Sequence, residues 1–318
     1  VSPFLPCYSM YRIFWKGRSY MRADVGLNFW LTQWNWQPSI IIGTIIVIGL
    51  YIYAVGPLRE RFRLGEPVRM GRAVAFFLGV YFIFIALVSP IDELGDYYLF
   101  SAHMVQHLFL TIVGPPLIVA GLPAWLLQPL LKKRVLFSLG RFFTYPGVAF
   151  VLFNVNFWLW HAPPLYDATL YDPTLHLLEH VTYIVTGVLY WWPVFSPLSE
   201  GWPRLSMGGQ LLYIFLGGMP TVLLGAGLTF TPPLYEPYIH APRIWGLSSA
   251  TDQQLGGLIM WVPANVAYII VVSVLFLRWM QAQEGKQRAK EEHLYATESS
   301  EREDIEDEQD EDAPGSLA

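Results

Sequence analysis

Cysteine is almost missing from this chain: Cys7 is the single one in 318 residues. One thiol supports neither an intrachain disulfide framework nor a thiolate cage for a metal. Charge is scarce as well, with Asp, Glu, Lys and Arg at 14% against 54% hydrophobic residues, which sets the chain apart from ordinary soluble domains. There is no solenoid-type repeat. The basic N-terminal stretch has no clean apolar run for a cleavable signal peptide, so the first long helix is expected to act as its own insertion signal.

What is present is a set of long apolar runs. A helix of about 20 apolar residues crosses a bilayer, and seven stretches approach that length: 39–55, 72–88, 99–120, 146–161, 175–195, 209–229 and 255–278. The expected fold is all-α, a polytopic bundle of seven transmembrane helices over residues 39–280. Residues 1–38 form an N-terminal extension, of which 1–20 read as a misassigned start because Met21 opens a more ordinary one. From residue 281 the composition turns to Gln, Glu, Asp, Lys and Ser, which predicts a disordered acidic tail over 281–318. Lys and Arg set the orientation. Arg59, Arg61, Arg63, Arg69 and Arg72, then Lys132, Lys133, Arg134 and Arg141, then Arg278, Lys286, Arg288 and Lys290 mark the cytoplasmic side. The alternate connections hold Asp92, Glu93, Asp96, Asp167, Asp172, Glu236 and Asp252. This places the C-terminus inside and the N-terminus outside.

Six of the seven histidines fall toward that outer side, and four form i,i+4 pairs, His103/His107 and His176/His180. Residues four apart share a helix face, about 6 Å apart along the axis, so each pair can reach one ion. His161 lies at the same level, and Asn154 shares its stripe. An imidazole buried among membrane helices is costly unless something pairs with it, and a metal or haem iron is the natural partner. Imidazole suits zinc, copper and iron alike, and thioethers shift the preference toward Cu(I). Met104, Met219 and Met260 are candidate additional ligands, as is His240 in the last outer connection. His176-Leu177-Leu178-Glu179-His180 also matches the H-x-x-E-H pattern of zinc hydrolases, with Glu179 as base. Two histidines on facing helices equally suit a haem. Gly114-Pro115-Pro116, Gly217-Gly218-Met219-Pro220 and Pro263 predict helix breaks. Asp252 is expected to favour the start of its own helix through the macrodipole, with a role orienting a ligating histidine as the alternative.

Four segments carry a family resemblance: SAHMVQHLFLTIVGPPLIVAGLP, NFWLWHAPPLYDATL with HLLEH following, LLGAGLTFTPPLYEPY, and DQQLGGLIMWVP. Together they resemble the CtaG family of cytochrome c oxidase assembly factors, in the multispanning form associated with caa-type oxidases, over roughly residues 35–280. The resemblance implies a bacterial plasma-membrane protein that is not an enzyme and that handles copper for the oxidase copper centre. It implies His103, His107, His161, His176 and His180 as metal positions, with Glu179, Asp252 and Gln253 supporting them. The implied partners are the oxidase subunit carrying the copper site, a copper donor protein and membrane lipid, with no nucleic acid. A haem-binding redox protein and an intramembrane zinc hydrolase are the alternatives.

Overall fold

The computed structural model describes residues 25–198, 202–203 and 205–311. The doubtful start over 1–20 and Cys7 lie outside the described residues. Among the described residues every regular element is helical. The described residues up to Ile269 form one compact unit and those from Ile270 another.

In chain order the first unit holds α1 (Leu27–Thr32), α2 (Pro38–Tyr53), α3 (Arg59–Phe62), α4 (Met70–Val88), α5 (Pro90–Tyr97) and α6 (Phe100–Leu108). It continues with α7 (Gly114–Gly121), α8 (Ala124–Leu131), α9 (Arg134–Phe143), α10 (Pro146–Trp160), α11 (Pro163–Tyr171) and α12 (Pro173–Phe195). Then come α13 (Met207–Phe230), α14 (Glu236–His240) and the start of α15 (Ser249–Glu311). Proline opens α2, α5, α10, α11 and α12, where its missing N–H is no loss and its fixed φ suits the first turn. Ser89 and Asp172 add side-chain caps to the starts of α5 and α12.

Among the described residues five helices are long and apolar enough to cross a membrane, and six if α9 and α10, bent by 63°, make one broken span. The seventh expected span is the one that falls short. The 23 residues of α12 are long enough, but His176, Glu179 and His180 pull its hydropathy down. Large aliphatic side chains such as Ile45, Leu50, Leu223 and Ile269 point outward while Asp, Glu, Gln and His side chains are buried. That inversion of the soluble pattern is what a lipid solvent demands. The chain is an all-α, multi-pass membrane protein.

Small residues bring the helices close. A Cβ on Gly121 would lie 2.6 Å from the Phe76 backbone nitrogen, and one on Gly79 would lie 2.8 Å from the Gly114 carbonyl oxygen. Helices α4 and α7 therefore touch backbone to backbone. The break at Gly114-Pro115-Pro116 is present as a π-helical turn, Phe109–Val113, between α6 and α7. Pro115 cannot donate to the Thr111 carbonyl, and the indole N–H of Trp191 on α12 does so instead at 3.0 Å. The same proline packs where a Cβ on Gly187 would stand, so the break is also a docking point for α12.

Where the composition predicts a disordered acidic tail beyond residue 280, α15 is drawn as helix to Glu311. Gln, Glu, Lys and Ala are good helix formers, and i,i+4 pairs such as Gln287 with Glu291 at 3.0 Å support an exposed helix.

Candidate metal centre

The histidines converge because three helix ends meet. His103 and His107 lie on α6, His176 and His180 on the first two turns of α12, and His161 is the C-cap residue of α10. Ring centroids run continuously through the group: His176 to His180 4.2 Å, His176 to His103 5.4 Å, His103 to His107 4.3 Å and His107 to His161 5.7 Å. His107 also lies 5.9 Å from His180. All five thus belong to one cluster. Within it, His103, His176, Glu179 and His180 each offer one ligand atom, all within 4.8 Å of one another.

Two of the tautomers are fixed by neighbours. Tyr238 gives its single hydroxyl proton to the Gly95 carbonyl at 2.6 Å, so at 3.0 Å from His103 Nδ1 it accepts, and that nitrogen carries the hydrogen. His161 Nδ1–H donates to the Phe157 carbonyl at 2.7 Å. In both rings Nε2 is left with its lone pair free, the arrangement by which outer partners orient a ligating histidine. A Cβ on Gly95 would meet the His103 backbone at 3.0 Å, so glycine is what lets α5 bring its carbonyl into this chain of contacts.

The polar atoms that face inward have no hydrogen bond. Nε2 of His103, His107, His161, His176 and His180 and both carboxylate oxygens of Glu179 are buried and unsatisfied by hydrogen bonding. Their nearest electrostatic contacts are with one another or with Asp96: His107 Nε2 is 3.4 Å from Glu179 Oε1, and His176 Nε2 is 3.6 Å from Asp96 Oδ1. Buried polar atoms are nearly always paired. A cation is a chemically matched partner for these seven polar atoms, among which the Nε2 atoms of His103 and His161 have free lone pairs, and nitrogen with one carboxylate suits copper or zinc.

Asp92 and Asp96, on α5 between two spans, entered the sequence analysis only as markers of orientation. Burial pushes the Asp96 carboxyl up to about 8, helped by the neighbouring Glu93 charge, and burial pushes Asp92 up to about 7, helped by Asp96. Asp92 is held by Asn35 at 2.8 Å and by Gln106 of α6 at 2.7 Å. Tyr238 and Gln106 were likewise missed. Tyr238 lies 135 residues from His103 in the chain, and the only hint was its place in the LLGAGLTFTPPLYEPY segment.

Asp252 lies in the first turn of its own helix, where the macrodipole favours it as expected, and its hydrogen bonds do not go to a histidine. Ser248 accepts from Thr251 N at the start of α15, while Asp252 reaches across to Phe100 N at 2.8 Å, Ser101 N at 3.1 Å and Ser101 Oγ at 2.6 Å. It caps α6, whose own N-cap residue Leu99 has no side chain able to do so. Gln253 is a clamp on the connection after α13, accepting from Leu234 N at 2.7 Å and donating to the Leu228, Thr231 and Pro232 carbonyls. Met219 is 48% exposed and the His240 side chain is 69% exposed beside Glu236, so neither joins the cluster. Met104 and Met260 are buried and line a cavity together with His107 and His161.

The family model for the cytochrome c oxidase caa3 assembly factor matches residues 49–282. Among curated proteins, an uncharacterized protein of Mycobacterium leprae is 26% identical over 265 residues, 78% of this chain and 40% of the relative. Uncharacterized proteins of Mycobacterium bovis and Mycobacterium tuberculosis are each 26% identical over 295 residues, 84% of this chain and 42% of theirs. The chain spans about two fifths of the length of these relatives. No solved structure matches it.

Proposed function

Because the chain belongs to the cytochrome c oxidase caa3 assembly factor family, we propose that it serves oxidase assembly as a copper carrier, holding the ion at its histidine cluster and releasing it to the oxidase subunit that bears the copper site. The observation that supports this reading is the set of seven buried polar atoms without a hydrogen bond on five histidines and Glu179. Nitrogen and carboxylate ligands without thiolates bind copper firmly yet exchange it, which delivery requires. A separate copper donor would load the site.

The cluster lies at the bundle end away from the Arg59–Arg72 connection and the Lys132–Arg134 connection. By the positive-inside rule this end faces outward across the bacterial plasma membrane, with the C-terminus in the cytoplasm. His103, His176, His180 and Glu179 would hold the ion. Tyr238 fixes the His103 ring, and Asp252 fixes the helix beneath it.

Two other chemistries fit less well. A haem needs a flat open space between its axial rings, and here the rings pack against each other at 4.2 to 6.1 Å. A zinc hydrolase needs water at an open coordination position, whereas Glu179 and His103 are fully buried. Glu179→Gln separates carrier from hydrolase. As a carrier the variant keeps the histidines, so its copper affinity should weaken by roughly 10–100-fold while oxidase assembly is retained in part. Abolished function with unchanged copper affinity, measured by chelator competition, would contradict the carrier reading.

A further inference from the structure

At the bundle end away from the histidine cluster, α9 (Arg134–Phe143) sorts its side chains onto three faces. Phe137 and Gly140, three residues apart, turn toward the protein: the Phe137 ring meets buried Trp202 edge to face at 5.6 Å, and a Cβ on Gly140 would stand 2.9 Å from the same indole. Arg134, Ser138 and Arg141, at i, i+4 and i+7, line an exposed polar face. Val135, Leu139 and Phe142 repeat that spacing one position on, with Leu136 and Phe143 beside them, and all five are exposed. Thr144 closes the end of α9 by donating its hydroxyl to the Gly140 carbonyl at 2.7 Å. Tyr145, held extended ahead of Pro146, then turns the chain by 63° into α10.

We propose that α9 is an in-plane helix docked on an anionic lipid surface, with Val135, Leu139 and Phe142 in the acyl boundary and Lys132, Lys133, Arg134 and Arg141 on the headgroup phosphates. Charge complementarity commits the face to this occupant. All four cations are exposed, and no Asp or Glu lies between Asp96 and Asp167 in the chain. A basic row flanking an apolar row on one helix is the pattern that anionic leaflets attract. A second copy of the chain fits less well, because a symmetric pairing through Val135, Leu139 and Phe142 would bring the two flanking rows of Arg134 and Arg141 together with no carboxylate of α9 between them. A span fits less well too. The 10 residues of α9 make about 15 Å of helix, roughly half a hydrocarbon core, and running it inward would carry the Arg141 charge with it. The docked helix sets the depth at which α10 begins.

The test is site-directed spin labelling of the full chain, in a Cys7→Ser background, reconstituted into vesicles of phosphatidylcholine and phosphatidylglycerol. Val135→Cys, Leu139→Cys and Phe142→Cys are labelled one at a time, with Ser138→Cys as the polar-face control. From Val135 to Phe142 the helix axis runs about 10 Å. The in-plane helix predicts equal depths for the three apolar-face labels, about 5–10 Å below the headgroup boundary, and a Ser138 label open to a water-soluble relaxation agent. Depth that grows steadily from Val135 to Phe142 would show a span and overturn the proposal. Dipolar broadening between Leu139 labels would show two copies face to face and overturn it as well. The lipid preference is read with a fluorophore on Leu139→Cys, quenched by doxyl-labelled phosphatidylglycerol or doxyl-labelled phosphatidylcholine. The anionic lipid should associate about fivefold more strongly than the zwitterionic one, and Lys132→Gln/Lys133→Gln/Arg134→Gln/Arg141→Gln, all at exposed positions, should make the two equal. Equal quenching before the charges are removed, or an unchanged preference afterwards, overturns the anionic-lipid assignment.

Discussion

His176→Ala/His180→Ala should leave the cell with cytochrome c oxidase that lacks copper, although the assembly factor itself still accumulates in the membrane. The two rings contribute two of the four convergent ligands, and losing even an outer-shell partner of a metal site costs roughly 10–100-fold in affinity. Removing two direct ligands should therefore abolish loading at physiological copper. The substitution also deletes buried acceptors that make no hydrogen bond in the fold, so its structural cost should be small. Copper per oxidase and oxidase turnover, measured beside the level of the variant, check this. Normal copper content with both rings gone would mean the cluster does not serve delivery.

Asp252→Ala should be the most damaging single change to stability. Its carboxylate accepts from two backbone amides and a hydroxyl at 2.6 to 3.1 Å at the start of α6. The two amides are the donors an N-cap satisfies, and each of the three donors left buried and unpaired costs about 1–3 kcal/mol, less where water reaches it. The expected total is roughly 3–5 kcal/mol. Asp252→Asn keeps one carbonyl acceptor and should restore about half of this. Unfolding in detergent followed by helical signal reads the effect. A change below about 0.5 kcal/mol would show that α6 does not depend on this cap. Because α6 carries His103 and His107, the alanine variant should also bind metal poorly at temperatures where it is still helical.

The sequence made the site unusually visible. Each i,i+4 pair puts two imidazoles on one helix face, and the H-x-x-E-H spacing adds Glu179, but whether the pairs meet in one site or stand as two depends on helix order in space, which spacing does not encode. Helical geometry is local, so four residues of spacing carry it. Asp252 and Tyr238 were opaque for the opposite reason: their partners lie 151 and 135 residues away, and no local pattern encodes which helix end an acidic side chain will reach. Met219 shares a break with Pro220 and was plausible on type alone, but the rotation of α13 turns it outward. Among the described residues α12 does not reach the apolarity of a span by composition, because the residues that build the site are the ones that make the helix less apolar. For the tail, composition does not discriminate, since Glu, Lys and Gln mark solvated chain and solvated helix equally.

The central claim is that this cluster binds copper in the protein itself. The measurement that tests it most directly is elemental analysis for copper, zinc and iron on the full chain purified in mild detergent, beside a His103→Ala/His107→Ala variant. The account predicts near-stoichiometric or higher copper in the native chain and its loss from the cluster in the variant. Iron in place of copper, or the same copper content in both samples, would contradict it.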